Sequence, residues 1–110
     1  MEIRMKKGLW TLEGALPIVR RIAAIAKEQG FTVALYGSVL REGQSNEDLD
    51  LYFIVAEERT SAVHAQNCVD AIAKTLAEAK FCQLTTNCTR IQFRDGKRID
   101  AQFLDYTPLP

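Results

Sequence analysis

The sequence has no long hydrophobic run, no excess of either charge and few cysteines, and each scarcity narrows what the chain can be. No stretch approaches the roughly 20 apolar residues that a membrane-spanning helix needs. The start, Met1 to Gly8, is basic, but no apolar segment of about 7–15 residues follows it, so a secretory signal peptide is not expected. These two absences place the protein in the cytoplasm, away from the membrane. Lys+Arg and Asp+Glu balance at 14 each, which excludes a nucleic-acid footprint spread over the whole surface and leaves room only for a local basic patch. The three cysteines, Cys68, Cys82 and Cys88, are odd in number and irregularly spaced, so they define neither a disulfide framework nor a zinc site. They read as free thiols in a reducing compartment. Internal repeats, low-complexity tracts and linkers are also missing.

What is there fits one domain spanning 1–110, 47% apolar and 25% charged, as in ordinary globular proteins. A chain of this size buries roughly two-thirds of its unfolded surface, enough for one core. Ala15, Ile18, Val19, Ile22, Ala23, Ile25 and Ala26 recur at helical spacing and predict a helix over 12–29, with Thr11 as N-cap and Gly30 as its stop. Pro17 falls early enough in it to be tolerated. Phe31 to Tyr36 reads as a buried strand ending at Gly37-Ser38. The polar stretch Val39 to Glu47 reads as loop or one short helical turn. Leu49 to Val55 predicts a second strand, placed centrally by its apolar run. A second helix is expected from Thr60 or Ser61 to Lys80, with Val63, Val69, Ile72, Ala73 and Leu76 inward, and Thr85 to Asn87 breaks the chain.

The last segment alternates. Ile91 and Phe93 oppose Arg90, Gln92 and Arg94 in parity, and Ile99, Ala101 and Phe103 oppose Arg98, Asp100 and Gln102. That pattern is a β-hairpin with one buried and one open face. A two-residue Asp95-Gly96 loop would set Ile91 against Asp100. A three-residue loop, Arg94 to Gly96, sets Phe93 against Lys97, Ile91 against Ile99 and Arg90 against Asp100, and parity selects it. The stem of Lys97 is expected to cover Phe93. Helices over a sheet with one polar face give a two-layer α/β (α+β) domain. The tail from Thr107 to Pro110 is expected to add nothing to the sheet.

Chemistry concentrates in Leu35 to Gly43 and Asp48-Leu49-Asp50-Leu51. Strand residues two apart share a face, so Asp48 and Asp50 project together while Leu49 and Leu51 enter the core. Paired carboxylates repel, and a divalent cation relieves the repulsion; oxygen-only ligands favour Mg²⁺ or Mn²⁺. Gly37 at a strand end lets backbone approach a ligand, Ser38 adds a hydroxyl, and turn amides suit phosphate oxygens.

Gly37-Ser38, nine intervening residues, Asp48-Leu49-Asp50 and a third carboxylate in Arg98-Ile99-Asp100-Ala101 resemble the hallmark of the polymerase-β nucleotidyltransferase superfamily, especially its small stand-alone, antitoxin-like members. The resemblance runs from the first helix through Asp100. It implies a mixed sheet with helices on one face and the active site on the open face. It implies that Asp48, Asp50 and Asp100 hold two Mg²⁺ or Mn²⁺ ions, with Asp100 helping to activate the acceptor hydroxyl. Gly37 and Ser38 would hold the β- and γ-phosphates of ATP or another nucleoside triphosphate. Arg41 stands where many members carry a basic residue near the triphosphate, although Glu42 beside it is atypical. Arg90, opposite Asp100, would hold that carboxylate ionised and then reach a phosphate. The activity implied is transfer of a nucleoside monophosphate, AMP from ATP foremost, to a hydroxyl, with release of pyrophosphate. Larger relatives carry a helical acceptor-binding domain not seen here, so the acceptor is expected from a partner protein, an RNA, a small molecule or a second copy of the chain. Small antitoxin members that modify a HEPN-type toxin are the nearest analogue by size.

The alternative is a catalytically silent nucleotide-binding or inhibitory module that keeps the fold. Asp48 can equally be a turn residue, and Asp100 opposite an arginine can equally be a cross-strand ion pair. Asp95 reads as a turn former, and Asp105 lies on the apolar parity. His64 reads as a solvated surface residue, Trp10 as a packing anchor, and Lys6-Lys7 and Arg20-Arg21 as solvated charge. Asn46 to Asp50 is not an EF-hand loop, because the required Gly and terminal Glu do not follow.

Overall fold

A computed structural model of the chain describes residues 10–45, 48–57, 60–76, 88–93 and 97–104. Along the chain come β1 (Trp10–Thr11), α1 (Leu12–Glu28), β2 (Phe31–Tyr36), α2 (Ser38–Glu42), β3 (Gln44–Ser45), β4 (Asp48–Val55), α3 (Ala62–Thr75), β5 (Cys88–Gln92) and β6 (Arg98–Leu104).

The first helix starts where its cap says it should: the Thr11 hydroxyl accepts the Gly14 amide at 3.0 Å. Glu13 in the first turn and Lys27 in the last complement the helix dipole. The helix runs through Pro17 and stops at Gly30, whose φ of 87° is open to glycine and strained for other residues. The helix expected next is α3, capped by Ser61, whose amide donates to His64 Nδ1 at 3.1 Å. His64 is therefore a capping residue, not a merely solvated one. The helix ends at Thr75, short of the Lys80 expected, because Leu76 turns to extended backbone. Val63 also differs from expectation. It is 50% exposed, because the face that packs inward is Ala65, Cys68, Val69 and Ile72, and Val63 lies on the opposite side of the first turn. The segment expected as loop or one short helical turn forms that turn as α2 and continues into β3, which pairs antiparallel with β1 through Trp10 and Ser45.

Four strands form a mixed sheet in the order β2-β4-β6-β5, with β4 parallel to β6 and the other pairs antiparallel. The strand expected to be central, β4, lies inside the sheet. Its residues nonetheless alternate in burial, since only one face is covered. The covered face is made by Leu49, Leu51 and Phe53 of β4 and Ile99, Ala101 and Phe103 of β6, each at most 1% exposed. They pack with Ala15, Ile22 and Ala26 of α1 and Val69 and Ile72 of α3 in one core. Phe103 stands edge-on to Phe31 and is stacked on Phe53, with ring centroids 5.0 and 4.5 Å apart.

The terminal hairpin has the register that side-chain parity selects. Arg90 faces Asp100, Ile91 faces Ile99, and the Phe93 amide donates to the Lys97 carbonyl at 2.8 Å. Lys97, opposite Phe93, carries its ammonium 5.3 Å over the ring of Trp10, which itself packs edge-on against Phe93. The expected chain break at 85–87, the hairpin loop 94–96, Asp105, the tail 107–110, Lys6, Lys7 and Cys82 lie outside the described residues. No helix among the described residues is long and apolar enough to cross a membrane.

Candidate functional site

On the open face, strand pairing sets side chains in rows. One row reads Tyr36, Asp50, Asp100, Arg90 across β2, β4, β6 and β5. The next row towards the strand starts reads Asp48, Arg98, Gln92. Asp48, Asp50 and Asp100 thus share one face, and Asp50 and Asp100 are direct neighbours across the parallel pair. Parity in the sequence placed each on its face; the adjacency of β4 and β6 brings the two strands together.

Gly37 closes β2 and opens α2 with φ 80° and ψ −157°. A side chain there would collide with Asp50 Oδ2, and Asp50 Cγ would lie only 3.0 Å from an added Cβ. Glycine is required on two counts, the positive φ and the close approach of the Asp50 carboxylate. Ser38 follows as the first residue of α2, so the backbone and hydroxyl expected near a phosphate stand beside Asp50. Arg41 lies exposed on the last turn of α2, and its amide donates to the Gly37 carbonyl at 3.0 Å.

Arg90 departs from the expected role. It is the cross-strand neighbour of Asp100, yet its guanidinium ion pair is with Asp48, at 3.3 Å from Nε to Oδ2. Arg98 Nε lies 2.9 Å from Asp48 Oδ1. The physical reason is reach: a long side chain on an edge strand can cross the neighbouring strand to a carboxylate on the one beyond. Arg98 was missed as a site residue, although its parity, two positions before Asp100, already put it on the same face. Trp10 is the packing anchor expected of it. Its Nε1 donates to the Arg98 carbonyl at 2.9 Å while its ring packs edge-on against Phe93, so it pins the start of β6 from the core side.

The electrostatics of this face are negative next to β2. Burial, and then the Asp50 and Asp100 carboxylates, push the Tyr36 phenol up to about 12. Tyr36 is also stacked on Tyr52, with ring centroids 3.7 Å apart and planes 3° from parallel. The pair forms a neutral aromatic floor beside the carboxylates.

The donor set suits a hard divalent cation, being carboxylate oxygen throughout. One observation supports that fit: Asp48 Oδ1 is buried with no hydrogen-bond partner among the described residues, close to Arg98 Nε but off its N–H direction. The Arg98 ion pair supplies charge to this oxygen but no hydrogen bond, so its lone pairs keep room for a cation. With Asp48 turned to the arginines, no three His, Cys, Asp or Glu side chains converge on one point among the described residues. Asp48, Asp50 and Asp100 are the carboxylates of this face that could hold a metal.

No family model and no curated protein matches the chain by sequence. Solved structures do match. The chain is similar to polymerase β of Leishmania infantum, solved as a ternary gap complex, with a TM-score of 0.69 and 13% identity over 92% of this chain and 40% of that one. It is similar to a structure of the GLD-2/RNP-8 complex, with a TM-score of 0.63 and 15% identity over 84% of this chain and 32% of the other. A cytoplasmic RNA terminal U-transferase gives a TM-score of 0.61 and 12% identity over 86% of this chain and 29% of that one. The chain therefore spans less than half the length of each of these three structures. With its mixed sheet, helices on one face and carboxylates on the other, the chain has the fold of the polymerase-β nucleotidyltransferases.

Proposed function

We propose that the protein is a metal-dependent nucleotidyltransferase that moves a nucleoside monophosphate, AMP from ATP foremost, to a hydroxyl. The observation that carries this reading is the pairing of Asp50 with Asp100 on the open face, with Gly37 packed against Asp50. In the reaction an acceptor oxygen bonds to the α-phosphorus, the bond from that phosphorus to the bridging oxygen breaks, and pyrophosphate leaves. Two Mg²⁺ or Mn²⁺ ions, when bound, would neutralise charge on the attacking and leaving oxygens.

The chain's own residues divide the remaining work by position. Gly37 and Ser38, at the β2 side, present backbone and hydroxyl to the β- and γ-phosphates. Arg41, on the same short helix, stands in reach of the outer end of the triphosphate. Asp100, towards β5, lies on the acceptor side of Asp50, where a carboxylate oxygen can take the hydroxyl proton. The stacked Tyr36 and Tyr52 rings shield the flank of the carboxylates from water. The acceptor is a group on a partner protein, an RNA, a small molecule or a second copy of this chain. One structural neighbour was solved as a two-protein complex, which is compatible with a partner supplying it.

Label transfer from [α-³²P]ATP, with Mg²⁺ or Mn²⁺ and with candidate acceptors added, tests the reading. Chelation of the metal must abolish the transfer. A second reading has one observation in its favour. Asp48 is engaged by Arg90 and Arg98, as expected of a silent nucleotide-binding module whose carboxylates have become structural. Nucleotide binding without label transfer to any acceptor would select it.

A further inference from the structure

Arg90 takes an unusual route to its partner. It stands on β5, at the edge of the sheet, and Asp48 stands on β4 with β6 between them. The two strand spacings amount to about 10 Å. The residues are also one row apart, since Arg90 is abreast of Asp100 and Asp48 is abreast of Arg98. To bring its Nε within 3.3 Å of Asp48 Oδ2, the side chain must pass diagonally over β6, between Arg98 and Asp100. It therefore lies across the ground between Asp48 and Asp100 that a shared cation would occupy.

We infer that Arg90 is a built-in counter-cation that competes with the divalent metal for Asp48 and so sets the metal concentration at which the site loads. This rests on the metal-dependent reading above. The two ion pairs are not equivalent. Arg98 is the direct neighbour of Asp48 in the parallel register, its backbone is tied to Trp10, and its side chain is 38% exposed. Arg90 has the longer reach and a side chain 56% exposed, so it loses more rotamer freedom in pairing and is the easier of the two to displace. Asp48 itself is only 13% exposed and keeps Oδ1 without a hydrogen bond, so the arginines neutralise the carboxylate without saturating it. A cation arriving at Asp48 and Asp50 finds Oδ1 beside Arg98 without a hydrogen bond and Oδ2 held by Arg90, the more exposed and more distant of the two guanidinium groups.

The contact predicts an excess effect: removing Arg90 should tighten metal binding by more than the loss of one positive charge from the overall field would. Mn²⁺ affinity, read from its electron paramagnetic resonance signal without nucleotide, separates the cases. Because the pair is partly exposed, Arg90→Gln should bind Mn²⁺ about three- to fivefold more tightly than the wild type. Arg90→Lys keeps the charge but loses reach and planar fork, and should fall between the two. The gap between wild type and Arg90→Gln should close near 1 M salt, where charges are screened beyond about 3 Å. Equal or weaker binding by Arg90→Gln overturns the inference. Equal affinity of Arg90→Lys and wild type also overturns it, because it assigns the effect to net charge and not to the contact. Loss of all Mn²⁺ binding in both wild type and Arg90→Gln overturns the metal site itself. Failure of the competition alone leaves Mn²⁺ binding to the wild type intact, so the two failures are distinguishable.

Discussion

The two faces of the four-stranded sheet are built by the same strands from alternate residues, and they differ in every physical respect. Leu49, Leu51, Phe53, Ile99, Ala101 and Phe103 are sealed under the helices. Asp48, Asp50, Arg98 and Asp100, interleaved with them, carry net charge on a half-open surface. One face holds the fold together by apolar burial and the other brings together charges that tend to repel. A substitution on one face should therefore act on stability, and on the neighbouring residue of the same strand on chemistry.

The largest effects test that division directly. Phe103→Ala should cost about 3–5 kcal/mol of unfolding free energy in denaturant melts, from lost burial and the cavity left between Phe31 and Phe53. Asp50→Asn should lower label transfer by at least about two orders of magnitude, the loss typical of removing one charge-stabilising group, with the denaturation midpoint nearly unmoved. If Asp50→Asn instead lowered the denaturation midpoint while retaining transfer, the division between the faces would fail.

Next in size is the response of the open face to its ligand. Mg-ATP at one hundred times its dissociation constant should stabilise the folded state by about 2.7 kcal/mol, read as a rise in melting temperature. Asp50→Asn should lose most of that rise, and a substitution confined to the covered face should keep it. An unchanged melting temperature for the wild type would favour the silent module.

Gly37 sits where the faces meet, and Gly37→Ala should combine both kinds of effect. The positive φ and the collision with Asp50 together should cost on the order of 1–3 kcal/mol. Because Asp50 must move, the Mg-ATP rise should shrink as well. A stability loss with an undiminished ligand response would place Gly37 outside the site.

The smallest effect concerns pH. The Tyr36 phenol is raised from 10.0 to about 12 in the folded state, so folding favours its neutral form. That contribution is fully present below about pH 10 and is lost as pH rises through 12. Tyr36→Phe should flatten this part of the stability profile, and only modestly, since Tyr36 remains partly exposed. An identical alkaline slope in both proteins would show that neither burial nor the Asp50 and Asp100 carboxylates raise the phenol.

Much of this was legible in the sequence because the signals are local. Thr11 and Gly30 bound the first helix through capping and a positive φ, and both need only neighbouring residues. Parity put Asp48, Asp50 and Asp100 on one face, and the requirement that apolar meet apolar fixed the three-residue register of the hairpin. The errors arose where a local pattern does not say what it faces. Val63 fitted an apolar helical stripe but begins the helix on the side away from the sheet, and His64 looked solvated because a capping bond depends on where the helix starts.

The sequence alone determined which residues could share a face and where the first helix ends, because periods of 2.0 and 3.6 and the freedom of glycine are properties of the backbone. Only the tertiary structure decided which residues became neighbours. Parity could not place β6 beside β4, and without that parallel pair Asp50 and Asp100 share a face but not a site. Nor could it send Arg90 past Asp100 to Asp48, or tie Trp10 to the Arg98 carbonyl across 88 positions of chain. Those contacts depend on strand order and on the reach of long side chains over it, which follow from how the helices and strands pack around one core.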